Sequence, residues 1–130
     1  MKIFTDEWAK EYAGKINSNK EYQEAAEGWI WPMVFTSVDN DVQKSIYLDL
    51  ENGTCKSARP ATEDDLLKAE FIISASAETW KEILNKKLDP MMAVMVKKLE
   101  LKKGNVSSLL QYVNAAKELI NSATQVETDF

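Results

Sequence analysis

The chain contains no histidine. That single absence removes every serine-histidine triad, every imidazole general base and every zinc site built on imidazole. There is one cysteine, Cys55, so no internal disulfide can form, and a reducing, cytoplasmic setting is expected. A lone thiol with no histidine beside it is a poor nucleophile. Long apolar runs are also missing; none approaches the roughly 18 residues that a membrane span requires. The opening MKIFTDEWAKEY turns acidic and amphipathic at once, unlike a secretory signal. No low-complexity tract, repeat or linker interrupts the 130 residues, so a single domain over 1–130 is expected. A chain of this length buries roughly two-thirds of the surface that its unfolded form exposes, enough for a real core.

Negative charge is in excess. The net charge of −5 argues against nucleic-acid binding. The charge is uneven: residues 86–103 hold six lysines against Asp89 and Glu100, a local +4 that leaves −9 for the remainder. A solvated face is the default reading of such a run. The acidic trio Glu63-Asp64-Asp65 invites a metal hypothesis. Adjacent carboxylates splay apart, however, and no calcium-loop spacing surrounds them, so neither a metal nor another cofactor is expected.

Thr5 is a good N-cap with Phe4 placed to staple onto Trp8, and Trp8, Tyr12 and Ile16 recur at helical spacing. A second short helix is predicted over 19–27, with Tyr22, Ala25 and Ala26 inward and Gly28 as its stop. From residue 29 the period changes to two, with Trp29, Trp31, Met33 and Phe35 on one face and apolar residues on the other as well. A strand covered on both sides follows, and Pro32 implies an edge or a bulge in it. Residues 45–51 alternate, Asn52-Gly53 signals a hairpin, and 54–58 return. Residues 58–67 read as a loop holding at most a helical turn. A fourth strand covers 69–76, and Ala77, Trp80, Ile83 and Leu84 mark a helix running to Leu88. Asp89-Pro90 starts another helix, carrying Met91, Met92, Met95 and Val96. Leu99 and Leu101 make a fifth strand. Gly104-Asn105 then turns into a last helix striped by Val106, Leu109, Leu110, Val113 and Ile120. A tight hairpin among strands, with helices grouped at the ends, gives an α+β fold with an antiparallel sheet.

In that order, YLDLENGTCKSA (47–58) and KAEFIISASAETWKEILNKKLDPMMAVMVKKLELKKGNVSSLLQYVNAAKELI (68–120) resemble the sterol carrier protein type 2 family. The features that carry the resemblance are the Asn52-Gly53 turn, the strand 69–76 and helix 78–87, the Asp89-Pro90 start, Lys98-Leu99-Glu100-Leu101, Gly104 and the apolar helix 109–119. Two departures stand out. Lys97 occupies the place of a glycine usual before the Lys-Leu strand, and Gly104 comes one residue late, as if a lysine had been inserted.

The resemblance implies a five-stranded, mostly antiparallel sheet covered by helices on one face, with an apolar tunnel between sheet and C-terminal helices. It implies a carrier that sequesters a sterol, fatty acid or fatty acyl-CoA without changing it. Methionine suits a wall that repacks around guests of different length. The expected lining is Phe35, Leu48, Phe71, Ile73, Trp80, Leu84, Met91, Met92, Met95, Leu99, Leu101, Leu109, Leu110 and Val113. Lys97, Lys98, Lys102 and Lys103 flank that wall and are expected to meet a head group or, transiently, an anionic membrane surface. A monomer or weak dimer is expected.

Two other readings stay open at the level of sequence. One is the same fold with a filled core, serving as an interaction or dimerisation module. The other is a carboxylate enzyme built on Asp49 or the 63–65 cluster. Asp49 is predicted to face away from the Leu48 side, and nothing pairs the acids at a spacing suited to acid–base work.

Overall fold

The structure, a computed structural model, describes residues 1–129. Helix α1 (Asp6–Asn17) starts where its cap predicts: the Thr5 hydroxyl accepts the Trp8 N–H at 3.3 Å. The Phe4 ring meets Trp8 edge to face at 5.2 Å between centroids. Asn19 caps α2 (Lys20–Ala25), and the chain turns away at Gly28 with φ +88°.

The first strand, β1 (Met33–Asp39), begins four residues later than its periodicity suggests. Pro32 has no N–H to donate; its carbonyl accepts from Glu70 and Phe71 instead. The Trp29 indole donates to the Trp31 carbonyl at 2.9 Å, which keeps 29–31 out of the ladder. The expected edge or bulge at Pro32 is therefore corrected: Pro32 precedes the central strand. Strands β2 (Val42–Glu51), β3 (Thr54–Pro60), β4 (Phe71–Ser76) and β5 (Leu99–Lys103) complete a sheet of order β3-β2-β1-β4-β5. Only β1 and β4 run parallel; the other pairs are antiparallel. Asn52 and Gly53 both take positive φ in the β2–β3 hairpin, as a two-residue turn demands. A Cβ on Gly53 would come within 2.7 Å of the Gln23 backbone, so the hairpin is pressed against α2.

The main core lies on one face of the sheet. Phe4, Trp8, Tyr12, Phe35 and Trp80 form a continuous set of ring contacts there. Three of these rings anchor polar atoms: Tyr12 donates to the Leu119 carbonyl at 2.7 Å, the Trp80 indole to the Thr36 carbonyl at 2.9 Å, and the Trp8 indole to the Thr128 hydroxyl at 2.8 Å. The opposite face carries a small cluster of Val34, Tyr47 and Ala69, with Leu66 packed on it. Leu66 belongs to α3 (Glu63–Lys68), a short helix where a loop is expected. Thr62 and Asp65 close a reciprocal capping box that makes it.

Helix α4 (Ala77–Leu84) ends four residues short of Leu88, and α5 (Pro90–Met95) follows. The single C-terminal helix expected from the apolar stripe is two: α6 (Val106–Gln111) and α7 (Val113–Ala123), broken at Tyr112 with φ −117° and ψ 35°. The Tyr112 ring stands edge-on to Trp29 and Trp31, with centroids 5.4 Å and 5.7 Å away. A straight helix through 112 would have to give up that position.

Candidate functional site

Helix α5 is six residues long and points in three directions. Asp89 caps it, one carboxylate oxygen accepting the Met91 and Met92 N–H groups at 3.1 Å each. Ala93 is turned into the core and fully buried. Met91 and Val94, one turn apart, face a cleft. Met92, Met95 and Val96 face outward, with relative exposures of 51%, 76% and 54%.

That cleft has its floor on Ile73 of β4 and Leu99 and Leu101 of β5. Its walls are Pro90, Met91 and Val94 of α5, Val106, Leu109 and Leu110 of α6, and Val113, Ala116 and Ile120 of α7. Polar side chains reach it only at Glu100 and Lys117. The cavity among these atoms is small, about 80 Å³, and opens to solvent at one side. It is a slit with almost wholly apolar walls. One wall is loosely held: no residue of α6 is buried. A polar groove adjoins the slit and shares Pro90, Lys117 and Ile120 with it; Lys86, Asp89 and Glu118 also line this groove. The carboxylates are occupied, Asp89 by the α5 cap and Glu118 by amides of Asn19 and Asn121. Lys86 and Lys117 make no ion pair among the described residues.

Of the expected lining residues, Ile73, Met91, Leu99, Leu101, Leu109, Leu110 and Val113 meet at the slit. Phe35, Leu48, Phe71, Trp80 and Leu84 are buried in the packed core and do not border it. Met92 and Met95 lie on the outer face of α5. The tunnel between sheet and helices is thus confined to the β5 edge, because aromatic rings fill the centre. The slit residues not anticipated are Pro90, Val94, Glu100, Val106, Ala116, Lys117 and Ile120. Val106 and Ile120 belong to the stripe already read from the sequence. Lys117 had a signal too, as a charge set on an apolar helical face between Val113 and Ile120.

The four flanking lysines differ. The Lys103 ammonium donates to the Leu67 carbonyl at 2.7 Å and so is spent on the end of α3. Lys102 pairs with Glu100 at 2.6 Å; this hydrogen bond and the attraction of Lys102, helped by Lys97, hold the Glu100 carboxyl below its ordinary range. Lys98 lies 3.8 Å from Glu82. Lys97 makes no ion pair among the described residues. Its φ is +62°, the conformation a glycine would take there. The late Gly104 is explained by a bulge: Ile72 pairs with Lys103 and Ile73 with Leu101, so Lys102 is the extra residue.

Nucleophilic chemistry has little to work with. Burial pushes the Cys55 thiol up to about 12, aided by the charge of Asp49, so no thiolate forms near neutrality. Asp65 is buried against Arg59 at 2.6 Å and closes the α3 cap, a structural task. No helix among the described residues is long and apolar enough to cross a membrane.

The fold as a whole has counterparts among solved structures. A crystal structure of sterol carrier protein 2 superposes with a TM-score of 0.88 at 33% identity, covering 97% of this chain and 100% of that one. A solution structure of a conserved protein from Thermus thermophilus, described as possibly a sterol carrier protein, gives 0.84 at 34% identity over 99% and 92%. Similar in fold alone is the Aedes aegypti sterol carrier protein 2 in complex with palmitate, with a TM-score of 0.54 at 17% identity over 88% and 96%. No curated protein matches significantly. The profile of the SCP-2 sterol transfer family matches residues 11–117, most of the chain and every slit residue except Ile120. Sequence profile, sheet order and superposition agree, and the chain belongs to the SCP-2 sterol transfer family.

Proposed function

We propose that the 130 residues act as one cytoplasmic module that holds the acyl tail of a fatty acid or fatty acyl-CoA in the slit, and carries it without chemical change. The observation that carries this reading is the almost wholly apolar lining of a slit with one weakly anchored wall. An acyl tail is thin and flexible and enters by parting α6 from α5. A sterol is a rigid plate and needs a wider gap. The head group would rest in the adjoining groove, where Lys86 and Lys117 make no ion pair among the described residues and the acids are engaged. A fold relative that holds palmitate lends support.

The magnitudes are sufficient. A tail of about 14 methylenes gains roughly 11 kcal/mol when fully buried, at ~0.8 kcal/mol each. Association costs about 4–15 kcal/mol. At the lower end of that cost the net is about −7 kcal/mol, a Kd on the order of 10 μM, and moderate affinity suits a carrier that must let go.

Native mass spectrometry of gently purified protein tests the reading, followed by titration of delipidated protein with palmitate and with cholesterol. A co-purified single-chain lipid and micromolar palmitate binding are expected. Ala116→Phe, which fills the slit, should abolish binding while leaving the circular dichroism unchanged. Palmitate binding that is absent, or that survives Ala116→Phe unaltered, contradicts the reading.

A further inference from the structure

Helix α7 presents Val113, Ala116, Lys117 and Ile120 to the slit, four positions of one helical face. Three are apolar, as such a face requires, and the fourth carries a full charge. Lys117 is the one cation bordering the slit among the described residues, and it lines the adjoining groove as well. Glu21 and Glu24 of α2 share a separate hollow with it, yet no carboxylate pairs with it among the described residues. We infer that Lys117 reads the charge of the cargo's head group: its ammonium takes the carboxylate of an ionised fatty acid and so favours the acid over a neutral lipid with the same tail.

The seam between slit and groove is the place for such a contact. Pro90, Lys117 and Ile120 belong to both spaces, so a tail in the slit puts its head beside Lys117. The four-carbon stem of a lysine lies along apolar surface while its ammonium stays in water. The groove sets Lys86 and Lys117 against Asp89 and Glu118, a formal sum of zero, and both acids already accept N–H groups. One added negative charge suits it. The second charged residue on the slit is Glu100 of β5, which Lys102 pairs at 2.6 Å. Glu100 disfavours a carboxylate on the β5 side, and Lys117 attracts one on the α7 side. Together they orient a fatty acid in one sense, as a few placed polar groups do in an apolar pocket. A long-chain alcohol feels neither charge.

The inference rests on the cargo reading and narrows it to one class of head group. Equilibrium binding of radiolabelled palmitate and of radiolabelled 1-hexadecanol to the delipidated full-length chain tests it at neutral pH and low salt. Lys117→Met keeps the stem and removes the charge; Lys117 is exposed, so the fold does not depend on it. That variant should weaken palmitate about three- to fivefold, the equivalent of ~0.7–1 kcal/mol for an exposed ion pair, and leave the alcohol unchanged. Lys117→Glu should weaken palmitate further and still spare the alcohol. Lys86→Gln, in the groove but off the slit, should cost palmitate less than Lys117→Met. Palmitate bound by Lys117→Met as by wild type, or an equal loss of both ligands, overturns the inference and leaves the cargo reading standing. So does a palmitate loss in Lys86→Gln that exceeds the loss in Lys117→Met. Wild type that binds neither ligand strikes the cargo reading, and this inference with it.

Discussion

Lys97 concentrates at one residue several of the forces acting on this site. It is the first residue beyond the C-cap of α5, where the Lys97 N–H donates to the Val94 carbonyl at 3.1 Å and the Lys98 N–H to the Ala93 carbonyl at 2.8 Å. These two bonds form the helix-ending motif in which glycine is preferred, and a side chain at φ +62° is strained there. Lys86 does the same at the end of α4. Each lysine places its charge at the negative end of a helix, which offsets part of the strain. Lys97→Gly should therefore raise stability by about 0.5–1 kcal/mol, relief of the left-handed backbone outweighing the lost charge. Thermal denaturation should show a midpoint roughly 2–4 °C higher. An unchanged or lower midpoint would mean that the lysine is held there without strain.

At the scale of elements, α6 is the part free to move. Gly104, at φ +112°, precedes it, and a Cβ there would collide with the Phe71 ring, so the approach to α6 is fixed tightly. Tyr112 fixes the other end on Trp29 and Trp31, while nothing between these anchors is buried. Backbone amides of 106–111 should exchange hydrogen faster than those of α7, whose Ala115, Leu119 and Ile120 are buried. Palmitate should slow exchange across 106–111. Equal protection of α6 and α7 in the ligand-free protein would contradict the account of a loose wall.

Caps, turns and periodicities of these elements were legible because they are local. Thr5, Asn52-Gly53 and Asp89-Pro90 act within a few residues of themselves and act as read. The break at Tyr112 was not legible, since its cause lies more than 80 residues away in sequence, at Trp29 and Trp31. The methionines misled for a related reason. Met91, Met92 and Met95 are all expected in the cavity wall for their unbranched, adaptable side chains, yet only Met91 borders the slit, and the smallest side chain of α5, Ala93, is the one admitted to the core. Close packing against the sheet selects for size there, and the larger side chains are turned to the slit and to solvent.

The whole molecule divides into a solid half and an open half. From β3 to β1, aromatic rings under α1 and α4 leave no room for a guest; Phe35, Leu48 and Trp80 are at most 1% exposed. Toward β5, α5 and α6 are short, the slit-lining side chains carry no aromatic ring and the walls are parted. The family resemblance gave the architecture and an apolar site between sheet and C-terminal helices. It spread that site over the whole core, because alternation in a strand marks an inward face without saying whether rings or empty space lie above it.

Methyl-resolved NMR of the delipidated protein during a palmitate titration tests the central claim most directly. Methyl signals of Met91, Val94, Leu109, Leu110, Val113 and Ile120 should shift in a saturable manner, while those of Leu48 and Ile46 stay in place. Shifts centred on Leu48 and Ile46, or no saturable shift anywhere, would contradict an acyl site at the β5 edge.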